Sequence, residues 1–301
     1  MWKLSLILLF AISASLEAQE VITLTCTFGR TVYGEYACSL QGVEVLDPTS
    51  SVEITGEHLE GYTDSDVLFV RISSSNTPFM IQEVFTTFPN IYELEYYDSN
   101  LQSINIPDSA RLEWLNLIRN NISTIESGMF SNQPLLFYLE LYDCNVQTVD
   151  ENAFEGLSRL AGLVLWDNQI TELSVRTFAP LTALLVLDLE ANFLTSIPQE
   201  LLAENINLST IYFSGNPIRE VHPNFAANQR QRLRYLNMRS IDCVDRVFTI
   251  VDELDWMDVN NSLQTCFNNF DGTVPEVRQI SLEFTGNLRV FDRFGNIIAS
   301  I

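Results

Sequence analysis

The chain has 301 residues, of which 39 are acidic and 16 are basic, so its formal net charge at pH 7 is −23. So acidic a surface repels the phosphates of nucleic acid, which proteins neutralise with lysine and arginine. It favours cationic partners over anionic lipid. We therefore expect no nucleic-acid partner and no insertion into a membrane. No linker-like stretch divides the chain, and its length suits one elongated domain.

Residues 1–18 are typical of a secretory signal peptide. Lys3 supplies one positive charge, and the stretch from Leu4 to Ile12 is almost wholly apolar. Small residues follow, and cleavage is expected after Ser15 or after Ala18. The apolar run is far shorter than the roughly 20 residues that cross a bilayer. The sequence therefore predicts a secreted, extracellular protein.

Five cysteines in an exported chain favour disulfides with one thiol left over. Cys26 and Cys38 lie close together near the start, and Cys243 and Cys266 lie close together near the end. We predict that these two pairs form disulfides. Cys144 stands alone in the middle of the chain, and its place follows from the repeat described next.

A pattern of apolar residues recurs with a period near 24. The clearest copies follow the frame L-x-x-L-x-L-x-x-N/C-x-L, with asparagine or cysteine at position nine. Weaker copies precede them, and the last copy loses the asparagine, as terminal repeats do. The copies open at Val67, Ile91, Leu112, Leu136, Leu160, Leu184, Leu208 and Leu233.

In this frame the chain resembles the leucine-rich-repeat family over residues 67–242. The resemblance implies an α/β solenoid of about eight repeats, a right-handed horseshoe with a concave parallel β-sheet. The residue pattern itself supports this fold, because no single repeat could bury the apolar side chains at positions one, four, six and eleven. We predict disulfide-closed caps at 19–66 and 243–274 and a β-rich tail at 275–301.

Position nine turns the chain out of the strand, where an asparagine side chain can bond the backbone groups that the turn frees. Cys144 occupies this position, so we predict a buried and unreactive thiol. A second column lies eighteen residues after the repeat openings and should form a buried spine under the convex face. Its members are Phe85, Phe130, Phe154, Phe178 and Leu202.

The residues before the repeats are similar to the N-terminal region of secreted leucine-rich-repeat proteins of dipteran insects. The similar stretch runs from Val52 to Asp66, and the cysteine-closed opening around Phe28 and Tyr36 is like theirs too. Some of those proteins act in circulating immune defence and carry a C-terminal coiled coil. The resemblance implies a role in insect innate immunity, although this chain has no sustained heptads for a coiled coil.

The sequence lacks the common catalytic and metal-binding motifs. Its two histidines, His58 and His222, lie in no metal-ligand cluster. We find no H-E-x-x-H, G-x-S-x-G, P-loop or strand-coupled dinucleotide motif. The acidic run from Asp252 to Asp258 favours a solvated helix face over a weak calcium site. We therefore expect no enzyme activity, no metal and no cofactor.

The outward positions three, five and seven, with the turn position eight, should line the concave face. They interleave aromatic rings with carboxylates, and contiguous exposed aromatics mark interaction sites. This mixture suits cationic groups, whereas lateral packing of rings within the sheet is the structural alternative. The predicted ligand-binding residues are Trp114, Tyr138, Glu140, Tyr142, Asp143, Trp166 and Asp167.

Two functions fit these features. The first is a secreted, non-catalytic protein that recognises a protein or glycan ligand of cationic character at its concave face. The second is an extracellular-matrix or adhesion protein that acts by self-association into homo-oligomers. A secreted chain would also carry N-glycans at its three acceptor sequons, which begin at Asn121, Asn207 and Asn260. The arginines between Arg219 and Arg246 favour local ion pairs over a dock for an acidic partner.

Overall fold

The computed structural model describes residues 21–270 and two short strands further on, β18 (Arg289–Phe291) and β19 (Ile297–Ser300). The predicted signal peptide and most of the predicted tail lie outside the described residues. Strands β18 and β19 pair antiparallel. Within the described part of the chain, no helix is both long and apolar enough to span a membrane.

The elements before the middle repeats are β1 (Val21–Thr25), β2 (Thr27–Arg30), β3 (Tyr36–Gln41), β4 (Ser51–Thr55), β5 (Phe69–Ser73), α1 (Glu83–Thr87), β6 (Glu93–Tyr97), β7 (Trp114–Ile118) and β8 (Thr124–Ile125). Those that follow are β9 (Tyr138–Glu140), β10 (Thr148–Val149), β11 (Gly162–Val164), β12 (Val186–Asp188), β13 (Ser196–Ile197), β14 (Thr210–Tyr212), β15 (Glu220–Val221), β16 (Tyr235–Met238), β17 (Arg246–Thr249), α2 (Glu253–Ser262) and α3 (Gln264–Asn269).

One sheet of eleven strands runs through the described residues in the order β17-β16-β14-β12-β11-β9-β7-β6-β5-β3-β2. Every neighbouring pair from β3 to β16 is parallel. The outermost pairs, β2 with β3 and β16 with β17, are antiparallel. Equivalent frame positions lie side by side, as Leu115, Leu139 and Leu163 do. The predicted solenoid with a parallel sheet is confirmed.

The core is a continuous column of the apolar frame positions. In the repeat that opens at Leu160, the side chains of Leu160, Leu163, Leu165 and Ile170 are fully buried. Burying one side chain of this size stabilises the fold by about 1.5–3 kcal/mol. Because every repeat stacks the same positions on its neighbours, the core extends without a break along the solenoid.

A spine of phenylalanines lies under the convex side, as predicted for the middle repeats. Phe130, Phe154 and Phe178 are fully buried, and successive rings stack with centroids 6.5 and 6.1 Å apart. The prediction for Phe85 is wrong, because that side chain is only partly buried. Here the chain forms helix α1, and the fully buried ring is Phe88, directly after the helix.

Position nine forms the predicted asparagine ladder. The Asn168 amide donates to the carbonyl oxygens of Leu141 at 2.6 Å and Leu165 at 2.9 Å. Its Oδ1 accepts from the backbone N–H groups of Cys144 at 3.1 Å and Val146 at 3.0 Å. One side chain thus satisfies backbone groups of two adjacent repeats, which would otherwise be buried without partners.

Cys144 replaces asparagine in this ladder. It is a free and buried cysteine, as predicted, and its Sγ donates to the Leu117 carbonyl oxygen at 2.7 Å. Burial raises the pKa of the Cys144 thiol to about 12. At physiological pH the sulfur therefore stays a neutral thiol, the form that is not nucleophilic.

The two predicted disulfides, Cys26–Cys38 and Cys243–Cys266, are both present. The first ties the β2–β3 hairpin, whose second strand pairs parallel with β5 and so extends the sheet. The second joins the segment before β17 to helix α3. Trp256 of α2 anchors this end further, since its Nε1 donates to the Arg230 carbonyl oxygen at 3.0 Å. Both ends of the apolar core are therefore covered by cross-linked structure.

Candidate ligand-binding face

The concave face, defined here as the side chains at frame positions three, five and seven, carries most of the predicted site. Trp114 lies on β7, and Tyr138 and Glu140 lie on β9. Tyr142 and Trp166 follow their strands, but the backbone ladder continues beside them, since Asp143 N–H donates to the Trp166 carbonyl oxygen at 3.1 Å. The parallel register therefore keeps these side chains in line.

Asp143 and Asp167 occupy position eight and lie at the turn that ends the strand. Their φ angles are 52° and 56°, in the left-handed region that short polar side chains tolerate. Arg119 has the same conformation one repeat earlier, with φ 53°. These charged side chains thus form a rim along one edge of the concave face.

The four predicted rings form two pairs. The centroids of Trp114 and Tyr138 are 4.8 Å apart with a tilt of 32°, and those of Tyr142 and Trp166 are 4.5 Å apart with a tilt of 18°. Each ring therefore has one face against its partner, so lateral packing is part of the role of these side chains. Trp166 is still 39% exposed, which leaves its outer surface open to a ligand.

Within the rim, Arg119 contacts an aromatic side chain of the concave face and an acidic side chain of the rim. Its Nη1 donates to the Tyr97 hydroxyl at 2.8 Å, and its Nε lies 3.6 Å from Asp143 Oδ2. The guanidinium carbon also lies 5.7 Å from the centroid of the Tyr97 ring. Asp143 is thus already paired with a cation of the chain itself. An ion pair this exposed is worth only about 0–1 kcal/mol, so a ligand cation can compete for it.

The carboxylates of the concave face differ in their hydrogen-bond partners between the central repeats and the amino end. Glu95 on β6 is buried and receives two hydrogen bonds from Arg71, at 2.7 and 3.3 Å. Asp188 on β12 accepts the backbone N–H of Glu190 at 2.9 Å. Burial raises the pKa of Asp188 to about 7, and repulsion from Glu190 and Glu140 acts in the same direction.

Sequence reasoning left several concave residues out of the site. Asp188 and Glu190 belong to the acidic part of the face, and Tyr212 and Tyr235 form a third ring pair with centroids 5.3 Å apart. Frame positions three, five and seven could have identified all of them. Ser214 also lies at position seven, and its buried hydroxyl finds no hydrogen-bond partner in the described part of the chain.

Three of the six arginines from Arg219 to Arg246 form the expected local ion pairs. The pairs are Arg219–Asp242 at 2.6 Å, Arg230–Glu253 at 2.5 Å and Arg246–Asp258 at 2.8 Å. Among residues 21–270 no group of three or more histidine, cysteine or carboxylate side chains is arranged to hold a metal ion.

The three sequons differ in their surroundings. Asn121 and its Ser123 are exposed. The Asn207 amide donates to the Thr182 carbonyl oxygen at 2.9 Å, and Ser209 is buried. Asn260 lies on helix α2, where Ser262 of the same sequon accepts a hydrogen bond from Arg246 at 2.6 Å.

Comparison with known families identifies the type of repeat. Residues 110–165, 140–194 and 158–218 each match the family model described as leucine rich repeat. These are leucine-rich repeats. No curated protein matches the sequence at a significant level.

Two solved structures show the same leucine-rich-repeat fold. A chain of the crystal structure of the TLR13–ssRNA13 complex has a TM-score of 0.55 and 22% identity, with coverage of 62% of this chain and 28% of that chain. The second is a chain of the octameric complex of Latrophilin 3 (Lec, Olf), Unc5D (Ig, Ig2, TSP1) and FLRT2 (LRR). Its TM-score is 0.51 and its identity is 20%, and the match covers 64% of this chain and 61% of that chain. This chain thus spans about a quarter of the first protein and about three fifths of the second. At these identities the likeness concerns the fold.

Proposed function

We propose that the protein is a secreted, non-catalytic binding protein that recognises a ligand of cationic character with its concave face. The observation that carries this proposal is the stacked Tyr142–Trp166 pair, of which Trp166 is 39% exposed beside the exposed Asp167. A cation over an aromatic face, next to a carboxylate, gains from both the ring quadrupole and the charge. Large aromatic anchors also concentrate the energy of an interface in a few residues.

A protein ligand suits this face better than a nucleic acid. The TLR13 structure holds RNA, but the net charge of −23 in this chain opposes a phosphate backbone. The carboxylates of the face would attract a positively charged protein and raise its rate of association at low salt. A glycan remains a second ligand class, since exposed aromatic rings stack on sugars as well.

The setting we propose is insect innate immunity. It is supported by the resemblance of the region from Val52 to Asp66 to secreted dipteran leucine-rich-repeat proteins. Secretion itself is supported by residues 1–18 of the sequence and by the two disulfides, which form in oxidising compartments.

The test compares ligand binding by variants of the stacked ring pair and by a control variant. The mature protein captures partners from insect body fluid, and the affinity of each purified partner is then measured for wild type, Trp166→Ala and Tyr142→Ala. We expect the two variants to weaken binding by about 1–3 kcal/mol. Phe193→Ala is the matched control, because Phe193 is an aromatic ring that is 53% exposed at position ten, away from the concave face. Equal affinity in all four proteins would contradict the proposal.

A second candidate function, self-association in the extracellular matrix, is favoured by one apolar surface. Val251, Leu254 and Met257 are exposed at three-residue spacing on and just before helix α2, and exposed apolar patches mark association sites. Sedimentation at micromolar concentration tests it. Assembly that Leu254→Glu abolishes would support this function, whereas a monomer at all concentrations would exclude it.

A further inference from the structure

Three carboxylates share the centre of the concave face, and of these the predicted site includes only Glu140. Asp188 pairs in register with Val164 on one side and with Tyr212 on the other. Glu140 is the register partner of Val164 on the next strand. Glu190 follows Asp188 by two residues, so its side chain points to the same face. We call Glu140, Asp188 and Glu190 the acidic cluster.

The Ser214 hydroxyl lies beside this cluster. Ladder bonds continue past the strand ends, with Leu189 N–H donating to the Tyr212 carbonyl oxygen at 2.9 Å and Ala191 N–H to that of Ser214 at 2.8 Å. Ser214 is therefore level with Glu190 and shares its face. The side chain is 4% exposed, and its Oγ has no hydrogen-bond partner among the described residues. A buried hydroxyl without a partner costs free energy, and a bound polar group would recover it.

Carboxylates are the charged groups on the amino side of the cluster, and one arginine lies on its carboxyl side. On the amino side, Glu140 lies on β9 and the uncharged Val164 lies on β11, and Trp166 follows two residues after Val164. On the carboxyl side, Tyr212 and Tyr235 lie on β14 and β16, and the exposed Arg239 lies level with Ser214 in the next repeat. Burial and the neighbouring carboxylates raise the pKa of Asp188 to about 7. The free protein thus holds this carboxyl near half protonation at neutral pH.

We propose that the acidic cluster and Ser214 bind the guanidinium of one arginine side chain of a protein ligand. This inference rests on the proposed function and specifies its partner. Arginine fits better than lysine, because the acceptors are spread over three side chains and a guanidinium offers five N–H donors in a planar fork. Asp188 and Glu190 would accept two of these hydrogens, and the Ser214 hydroxyl would accept a third.

The arrangement makes binding depend on pH in a defined direction. The cation binds the ionised form of Asp188, so the carboxyl proton is released when arginine enters. With the pKa of Asp188 at about 7, the ionised fraction rises about tenfold between pH 6 and pH 8. The affinity for an arginine ligand should rise by the same factor, because arginine itself stays charged over this range.

The experiment titrates the full chain with the peptide acetyl-Gly-Arg-Gly-amide and with its neutral citrulline analogue, followed by NMR at pH 6 and pH 8. We expect binding of the arginine peptide, about tenfold tighter at pH 8, and at least tenfold weaker binding of the citrulline peptide. Asp188→Asn should abolish the pH dependence. Ser214→Ala should weaken binding at both pH values and keep the dependence. Glu172→Gln removes one exposed carboxylate outside the concave positions and should behave like wild type.

The inference is overturned if the arginine peptide does not bind at millimolar concentration, if it binds no better than the citrulline peptide, or if Asp188→Asn keeps the pH dependence. Trp166→Ala, measured in parallel, separates the two proposals. Loss of binding in Trp166→Ala but not in Asp188→Asn would leave the proposed function standing and remove the arginine site. The reverse result would keep the arginine site and remove the aromatic pair from the binding face.

Discussion

The backbone of Gly162 lies against the ring of Tyr138, so closely that a Cβ on residue 162 would be 2.6 Å from Tyr138 Cδ2. Tyr138 can pack against Trp114 on one side and lean over the next strand on the other only because position three of that strand has no side chain. The aromatic surface therefore depends on Gly162, which contributes no side chain to it.

The first prediction concerns this contact. Gly162→Ala should displace the Tyr138 ring and loosen its pairing with Trp114, and overpacking of this kind typically costs about 1–3 kcal/mol. Near-UV circular dichroism should report the change in the ring pair, and thermal unfolding should report the loss in stability. An unchanged aromatic spectrum would show that the ring adjusts without leaving Trp114.

The second prediction separates the core from the concave face. Leu165→Ala should lower the free energy of unfolding by about 2–5 kcal/mol, because Leu165 is fully buried and its loss leaves a cavity. Trp166→Ala should cost much less, since that ring is partly exposed. Denaturant unfolding of both variants provides the measurement. Equal losses would mean that Trp166 serves folding more than binding.

The leucine frame could be predicted from the sequence because one short pattern decides burial in every repeat. Positions one, four, six and eleven must be apolar for stacking to succeed, and the structure buries them in the middle repeats. Cys144 was assigned correctly for the same reason. The assignment failed at Phe85, where helix α1 changes the number of residues between the strand and the buried ring.

The ion pairing and protonation of the concave side chains could be predicted only in part. Frame positions show which side chains share a face, but they do not show which of them neutralise each other. Arg119 reaches Asp143 and Tyr97 from a turn position, and partial burial with the charges of Glu190 and Glu140 raises the pKa of Asp188. Both facts depend on side-chain conformations across repeats, which no single repeat encodes.

The third prediction concerns the thiol in the ladder. In the native protein Cys144 should resist a thiol reagent at pH 8, because burial holds its pKa at about 12 and keeps reagent out. It should react at once in denaturant. Cys144→Asn should maintain stability or raise it by about 1 kcal/mol, since the amide can make the bonds that Asn168 makes one repeat later. A strongly destabilised Asn variant would contradict the equivalence of the two positions.

The fourth prediction concerns pH and stability. The folded-state pKa of Asp188 lies at about 7, above its usual value of 3.8. Ionisation therefore favours the unfolded chain, and this residue should lower stability as pH rises from about 4 through 7. Asp188→Asn should be more stable than wild type at pH 8, by on the order of 1–3 kcal/mol. At pH 4 the advantage should vanish, and an equal advantage at both pH values would refute the raised pKa.

The fifth prediction ranks the sequons. Asn121 should carry a glycan in material secreted from insect cells, because the asparagine and its serine are both exposed. Asn207 should be occupied least, since its amide is bonded to Thr182 and Ser209 is buried. Mass spectrometry of tryptic peptides before and after glycosidase treatment gives the occupancy at each site. Full occupancy at Asn207 with none at Asn121 would reverse the ranking.

The reversed direction of strands β2 and β17 limits what can be added to this molecule. A parallel ladder grows by accepting another strand that runs the same way in the same register, and both outermost strands run the other way. A second copy therefore cannot continue the solenoid end to end as a further repeat would. Any assembly that extends the described sheet must therefore pair with a strand that runs against the repeats, so it cannot add repeats in the same direction and register.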